Sequence, residues 1–127
     1  YIFKNGLKRR VKILGNITDE QLVYYYQNCS SVIFIPFDED YGLVTLEAFA
    51  QSKAVISTTD SGGPTEFIEN GKNGYLSEPN SQDLYECVLK LTSRDNAKKL
   101  GIYSREYFMK KNISWDTTIE KLLSVVK

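Results

Sequence analysis

Residues 31–50 read SVIFIPFDEDYGLVTLEAFA, and this stretch decides the fold. Its first six residues form a β-branched and aromatic run ending in Pro36, which is typical of a strand buried on both faces of a parallel sheet. A turn follows over residues 37–42, and the apolar run after Gly42 predicts a helix that begins near Leu43. A strand, a turn and a helix in this order indicate a parallel α/β sheet.

Strand and helix patterns alternate on both sides of this stretch. Further short strands are predicted over residues 10–14, 54–57 and 74–76. Helices are predicted over residues 19–28, 64–70, 80–91 and 95–111, the last one broken near Gly101, with a closing helix over residues 113–127. Because the connections are short, we expect a Rossmann-like α/β fold, with a parallel sheet of four short strands flanked by helices.

The composition excludes several classes of protein. With 127 residues the chain has the length of one domain. Sixteen basic residues balance sixteen acidic ones, so no overall positive field attracts nucleic acid. The chain has no histidine, and its two cysteines show no zinc-site spacing, so we expect no metal site. It starts at Tyr1 without an initiator Met, and we expect a fragment of a longer protein.

Two glutamates in the central stretch are candidates for chemistry. Glu47 lies within the apolar helix 43–50, so we expect its carboxylate to be buried and to need a partner. Glu39 precedes it by eight positions, on the turn before the helix. Simpler interpretations are a solvated loop acid for Glu39 and a helix glutamate on an exposed edge, shared with Thr45 and Gln51, for Glu47.

The predicted topology places these glutamates at a ligand site, because open parallel sheets bind ligands beyond the carboxyl ends of their strands. A helix N-terminus suits phosphate, and Gly42 and the Gly62–Gly63 pair would let a ligand approach the backbone. Glu47 lies one turn into its helix, about 6 Å along the axis, where a carboxylate could accept from a ribose diol. Glu39 would face a sugar beyond the phosphate, so a nucleoside diphosphate linked to a sugar fits the site.

The segment from Glu39 to Glu47 resembles the E-x7-E motif of retaining GT-B glycosyltransferases of group 1 (family 4), whose members include enzymes of bacterial polysaccharide biosynthesis. The likeness covers nearly the whole chain and is strongest over residues 11–79. Its other parts are Gly15 with residues 18–22, the strand ending in Pro36, and residues 48–50, 54–56, 62–66 and 71–76.

The resemblance implies a role for each candidate residue. Glu39 would be the catalytic residue, contacting the transferred sugar near the reacting carbon, and Glu47 would bind the donor's ribose hydroxyls. The remaining donor-binding candidates are backbone positions around the diphosphate and sugar (Gly42, Leu43, Val44), positions near the base (Gly15, Asn16), and the later element Gly62, Gly63 and Glu66. For Glu66, an acid favoured by the helix dipole is an equally good interpretation.

The resemblance also implies an activity. Residues 1–127 would be the C-terminal, nucleotide-sugar-binding part of a glycosyltransferase, transferring a sugar with retention to a glycan, lipid-linked or small-molecule acceptor, without a metal or other cofactor. The acceptor-binding domain and the Arg and Lys that bind the diphosphate would precede residue 1, so the fragment alone would be inactive. The family implies a cytoplasmic location at the inner face of a membrane, with peripheral association of the full-length protein.

Two other functions remain open for this sequence. One is a non-catalytic Rossmann-like interaction or regulatory module that kept the fold and lost the site. The other is a sugar-phosphate synthase or a phosphorylase of the same architecture.

Overall fold

The computed structural model describes the backbone of residues 1–125, and the side chains of all of these except residues 115, 118, 121, 122 and 125. A single 3-10 turn at Leu7–Arg9 comes first. The helices and strands that follow are α1 (Asp19–Asn28), β1 (Ser31–Ile33), α2 (Leu43–Ala50), β2 (Ala54–Thr58), α3 (Pro64–Phe67), β3 (Gly74–Ser77), α4 (Ser81–Thr92), α5 (Arg94–Lys111) and α6 (Trp115–Val125). The predicted closing helix over 113–127 corresponds to α6, and its last two positions lie outside the described residues.

The three strands form one parallel sheet in the order β1-β2-β3. The α/β prediction is therefore confirmed. All five residues of β2 are buried, because it is the central strand and helices cover both of its faces. The expectation that residues 31–36 are buried on both faces is wrong, since β1 is the edge strand of the described sheet and Ile33 is 50% exposed.

The core has two parts, one on each face of β2, because successive strand residues point to opposite faces. On one face, Val55 packs with residues of α2, chiefly Leu46, Ala48 and Phe49. On the other face, Ala54 and Ile56 belong to a cluster with buried residues of α4 and α5, which are Cys87, Leu91, Ala97 and Leu100. The first of these clusters fixes α2 against the sheet and therefore positions the candidate site.

Helix α1 begins with a reciprocal side-chain cap. The Thr18 hydroxyl accepts a hydrogen bond from the Gln21 amide at 3.3 Å, and the Gln21 side chain accepts from the Thr18 amide at 3.0 Å. This reciprocal capping box satisfies two amides that a helix N-terminus otherwise leaves free. The helix then runs over the predicted residues 19–28.

Two expectations about secondary structure are wrong. Residues 11–14 form no strand, because alternation of apolar residues produces a strand only where a neighbouring strand pairs with it, and the described sheet has none here. Helix α5 is not broken at Gly101. A Cβ on this residue would lie 2.1 Å from the carbonyl oxygen of Ser52, so the glycine lets an intact helix pass close to that turn.

None of the helices in residues 1–125 is both long and apolar enough to cross a bilayer.

Candidate functional site

The loops that leave β1 and β2 meet at the carboxyl edge of the sheet. The amide of Asp38 donates to the carbonyl of Asp60 at 3.0 Å, and the amide of Glu39 donates to the carbonyl of Ser61 at 3.1 Å. The amide of Gly63 donates back to the carbonyl of Glu39 at 2.7 Å. Both the amide and the carbonyl of Glu39 are therefore held by hydrogen bonds, although Glu39 is an exposed residue.

The glycines of these loops serve a purpose different from the predicted one. A Cβ on Gly62 would lie 2.6 Å from the Glu39 carbonyl oxygen, and one on Gly63 would lie 2.7 Å from that of Asp40. A Cβ on Gly42 would meet the ring of Pro64 at 2.6 Å. The missing Cβ atoms make room for the neighbouring loop, and the expectation that these glycines also open the backbone to a ligand stays a prediction.

Helix α2 begins at this edge without a side-chain cap. Its N-cap residue is Gly42, with a φ of 78°, which has no side chain to accept from the first turn. The amides of Leu43 and Val44 stand in that first turn, where an α-helix provides no carbonyl partner. Uncapped amides and the positive end of the helix dipole together make this end of α2 suitable for an anion.

Glu47 is exposed, so the expectation of a buried carboxylate is wrong. The face of α2 that packs on the core carries Leu46, Ala48 and Phe49, and positions 43 and 47 lie together on the opposite face. Leu43 is accordingly 61% exposed. Thr45 does not share the exposed edge with Glu47, since it is fully buried. The apolar run 43–50 is thus a helix with one solvent-exposed face.

Glu47 has a partner that the sequence does not predict. The hydroxyl of Tyr26, on α1, donates a hydrogen bond to Oε2 of Glu47 at 3.0 Å. Burial of the half-buried Tyr26 raises the pKa of its phenol, and the hydrogen bond to Glu47 and the charge of that carboxylate raise this pKa further. The run of three consecutive tyrosines at 24–26 contains no signal for a bond between side chains 21 positions apart.

A groove of about 390 Å³ runs between α1 and α2 beside this pair. Its walls are Asp19, Leu22, Val23 and Tyr26 of α1, and Glu47, Ala50 and Gln51 at the end of α2. Gly15 and Asn16 lie in the exposed segment that leads into α1, three and two residues before its N-cap Thr18. Gly15 and Asn16 thus precede the helix that forms one wall of the groove, and Glu47 lies on the other wall.

The remaining candidate, Glu66, lies in the first turn of α3 and is exposed. Its amide donates to the carbonyl of Gly63 at 3.0 Å, which ties it to the same loop. Within the described part of the chain, no three His, Cys, Asp or Glu side chains come together in a group that could hold a metal ion.

The chain is similar to several glycosyltransferases. It is 33% identical over 123 residues to the alpha-1,3/1,6-mannosyltransferase ALG2 of Dictyostelium discoideum, covering 96% of this chain and 29% of that protein. The crystal structure of TarM from S. aureus has a TM-score of 0.82 at 26% identity, covering 97% of this chain and 24% of TarM. HepE (Alr3699) of Anabaena in complex with UDP and glucose has a TM-score of 0.78 at 25% identity, covering 98% and 34% of the two chains.

The chain spans 24% to 33% of the length of the first three curated relatives that it matches. The family described as Glycosyl transferases group 1 matches residues 2–107, which is most of the sequence. The chain therefore belongs to the group 1 glycosyltransferase family.

Proposed function

We propose that this chain binds the donor in a glycosyltransferase that transfers a sugar from a nucleoside diphosphate sugar to an acceptor. The observation that carries the proposal is the arrangement around α2. Its uncapped N-terminus lies at the carboxyl edge of the sheet, Glu39 lies on the loop before it, and Glu47 lies one turn into it on the exposed face. Family membership and the HepE complexes with UDP and with UDP-glucose support this assignment.

The first step of the proposed mechanism is binding of the diphosphate at the start of α2. The amides of Leu43 and Val44 donate to phosphate oxygens, and Gly42 leaves that end of the helix without a competing side-chain acceptor. As the bond to the sugar breaks, negative charge grows on the leaving diphosphate. Fixed amides and the helix dipole stabilise that charge without reorganising, which lowers the barrier to transfer.

Glu47 supplies the second contact, with the ribose. The carboxylate lines the groove between α1 and α2, about 6 Å along the helix axis from the phosphate-binding end. A carboxylate accepts two hydrogen bonds, which matches the two hydroxyls of a ribose diol. In this arrangement the base lies towards Gly15 and Asn16, which precede the N-terminus of α1.

Glu39 is assigned to the transferred sugar. Its backbone is fixed by hydrogen bonds to Ser61 and Gly63, so the exposed side chain extends from a defined point at the sheet edge. We assign it to the sugar near the reacting carbon, with transfer that retains the anomeric configuration and needs no metal ion. Gly62 and Gly63 then act by holding the Glu39 loop, and Glu66 is a weaker candidate for direct contact.

Parts of the enzyme beyond this chain complete the proposal, because the chain spans only a fraction of its relatives. An acceptor-binding domain and further cations for the diphosphate are assigned to those parts. The acceptor is a glycan, a lipid-linked molecule or a small molecule. A lipid-linked acceptor would bring the full-length protein to the inner face of a membrane as a peripheral protein.

Calorimetric titration of the full-length protein with UDP, GDP and ADP tests donor binding. We expect one of the three to bind, and Glu47→Ala to weaken that binding at least about tenfold, because two hydrogen bonds to a charged group are lost. Glu106→Ala, at an exposed glutamate of α5, is the matched control and should bind like the wild type. No heat from any of the three at millimolar concentration would contradict the proposal and favour a non-catalytic module.

The stereochemistry and metal requirement are tested on the same protein. The anomeric configuration of the product, read by NMR, should equal that of the donor sugar. Turnover should persist after treatment with EDTA. An inverted product, or complete loss of turnover that added Mg²⁺ restores, would contradict that part of the proposal.

A further inference from the structure

The bond between Tyr26 and Glu47 joins two helices at the wall of the groove. The tyrosine belongs to α1 and the glutamate to α2, and the hydroxyl lies 3.0 Å from Oε2. Both side chains line the same cavity. An exposed carboxylate otherwise has several rotamers of similar energy, so a hydrogen bond from a hydroxyl that is itself held in place selects among them.

The ring of Tyr26 is a fixed donor because it is partly inside the core. It is half-buried and packs against the cluster that contains Leu46, Ala48 and Phe49. Its neighbour Tyr24 is 58% exposed and contacts only the ring of Tyr25 among the described aromatic side chains. The three tyrosines of α1 therefore differ in kind, and only the last presents its hydroxyl to α2.

The direction of the hydrogen bond follows from the phenol of Tyr26, which is the partner that carries the proton. Burial and the bond to Glu47 raise the pKa of Tyr26, so the phenol stays protonated at neutral pH. The phenol donates and Oε2 accepts. Oε1 and the remaining lone-pair direction of Oε2 stay available as acceptors in the groove.

We propose that Tyr26 is a positioning residue. It holds the carboxylate of Glu47 in the orientation that accepts hydrogen bonds from the ribose hydroxyls of the nucleoside diphosphate sugar. This inference rests on the proposed function and adds a residue to it. A carboxylate that is already oriented loses less rotamer entropy when the ribose binds. The competing role for Tyr26 is purely structural, as a bond that fastens α1 to α2.

Ligands with and without the diol separate these two roles. The full-length protein is titrated with the best-binding diphosphate of UDP, GDP and ADP, and with its 2′,3′-dideoxy counterpart. Tyr26→Phe, which removes only the hydroxyl, should weaken binding of the ribose form about fivefold to tenfold and leave binding of the dideoxy form unchanged. The matched control is Tyr24→Phe, which removes an exposed hydroxyl from the same helix and should leave both affinities unchanged.

A double-mutant cycle completes the test. If Tyr26 acts through Glu47, adding Tyr26→Phe to Glu47→Ala should cause no further loss of affinity. Equal weakening of the ribose and dideoxy forms, additive losses in the double variant, or no effect of Tyr26→Phe would each overturn the inference while donor binding by the wild type stands. Absence of binding by the wild type would instead overturn the proposed function, and the inference with it.

Discussion

Glu39 and Glu47 are held in opposite ways. Glu39 is fixed through its backbone, by amide and carbonyl bonds to Ser61 and Gly63, and no hydrogen bond of its side chain is described within residues 1–125. Glu47 belongs to a packed helix, and a bond from Tyr26 orients its carboxylate before any ligand arrives. The difference fits two tasks. A group that binds the unchanging ribose benefits when it is oriented in advance, whereas a group beside the reacting sugar can be oriented by the substrate itself.

The largest expected effect comes from removing the charge of Glu39. Glu39→Gln in the full-length protein should lower kcat by about 10²–10³-fold, the range seen when one group that stabilises a transition state is lost. Binding of the nucleoside diphosphate should stay within about twofold, since this ligand lacks the transferred sugar to which Glu39 is assigned. Steady-state kinetics and calorimetry measure the two quantities.

The neighbouring acid Asp40 provides the control for this variant. Asp40→Asn changes another exposed carboxylate of the same loop and should leave kcat within about threefold. If Glu39→Gln and Asp40→Asn had equally small effects, Glu39 would be a solvated loop acid and its assignment to the sugar would be wrong.

A smaller effect should follow from disturbing the loop that holds the Glu39 backbone. Gly62→Ala introduces a Cβ 2.6 Å from the Glu39 carbonyl oxygen at a residue with a φ of 71°. Gly6→Ala introduces a Cβ at a φ of 66° with no atom within 4 Å. Both variants incur the left-handed backbone cost of about 1–2 kcal/mol. The clash should destabilise Gly62→Ala by about 1–3 kcal/mol more.

Denaturant unfolding of both variants measures that difference. A lower kcat in Gly62→Ala with an unchanged affinity for the diphosphate would sharpen the contrast between the two glutamates. Equal destabilisation by the two substitutions would show that the packing of the two loops contributes little.

The smallest effect concerns the free energy of unfolding at alkaline pH. In the unfolded chain Tyr26 loses its proton above about pH 10, while in the folded protein its raised pKa keeps it protonated. The unfolded state therefore releases more protons, and the free energy of unfolding falls as the pH rises above about 10. The free energy of unfolding of Tyr26→Phe should therefore fall less steeply than that of the wild type above about pH 10, as denaturant unfolding at several pH values would measure. Identical slopes for the two proteins would contradict the raised pKa of Tyr26.

The same two regions show what the sequence can predict. Helix α2 and its start at Leu43 are predicted correctly because Gly42 and the apolar run are local signals. The predicted burial of Glu47 is wrong, because an apolar helix of eight residues does not show in its sequence which of its faces packs on the sheet. The sequence does not predict Tyr26 as the partner of Glu47, because this bond depends on how α1 and α2 pack together. The local sequence pattern contains no information about that packing.

The strands give a second example of this limit. Residues 54–57 and 31–36 are both apolar runs, yet β2 is buried throughout and β1 is an edge. Residues 10–14 alternate like a strand and form none among the described residues. Composition predicts a preference for extended backbone, whereas pairing and burial are decided by which neighbours the chain places beside it.

A crystal structure of the full-length protein with its bound nucleoside diphosphate tests the central claim most directly. We predict phosphate oxygens within about 3.2 Å of the amides of Leu43 and Val44, and the ribose hydroxyls at the same distance from Glu47, with the Tyr26 bond intact. A nucleotide bound elsewhere would contradict the account. One such place is the cavity lined by Asn28, Lys53 and Lys98.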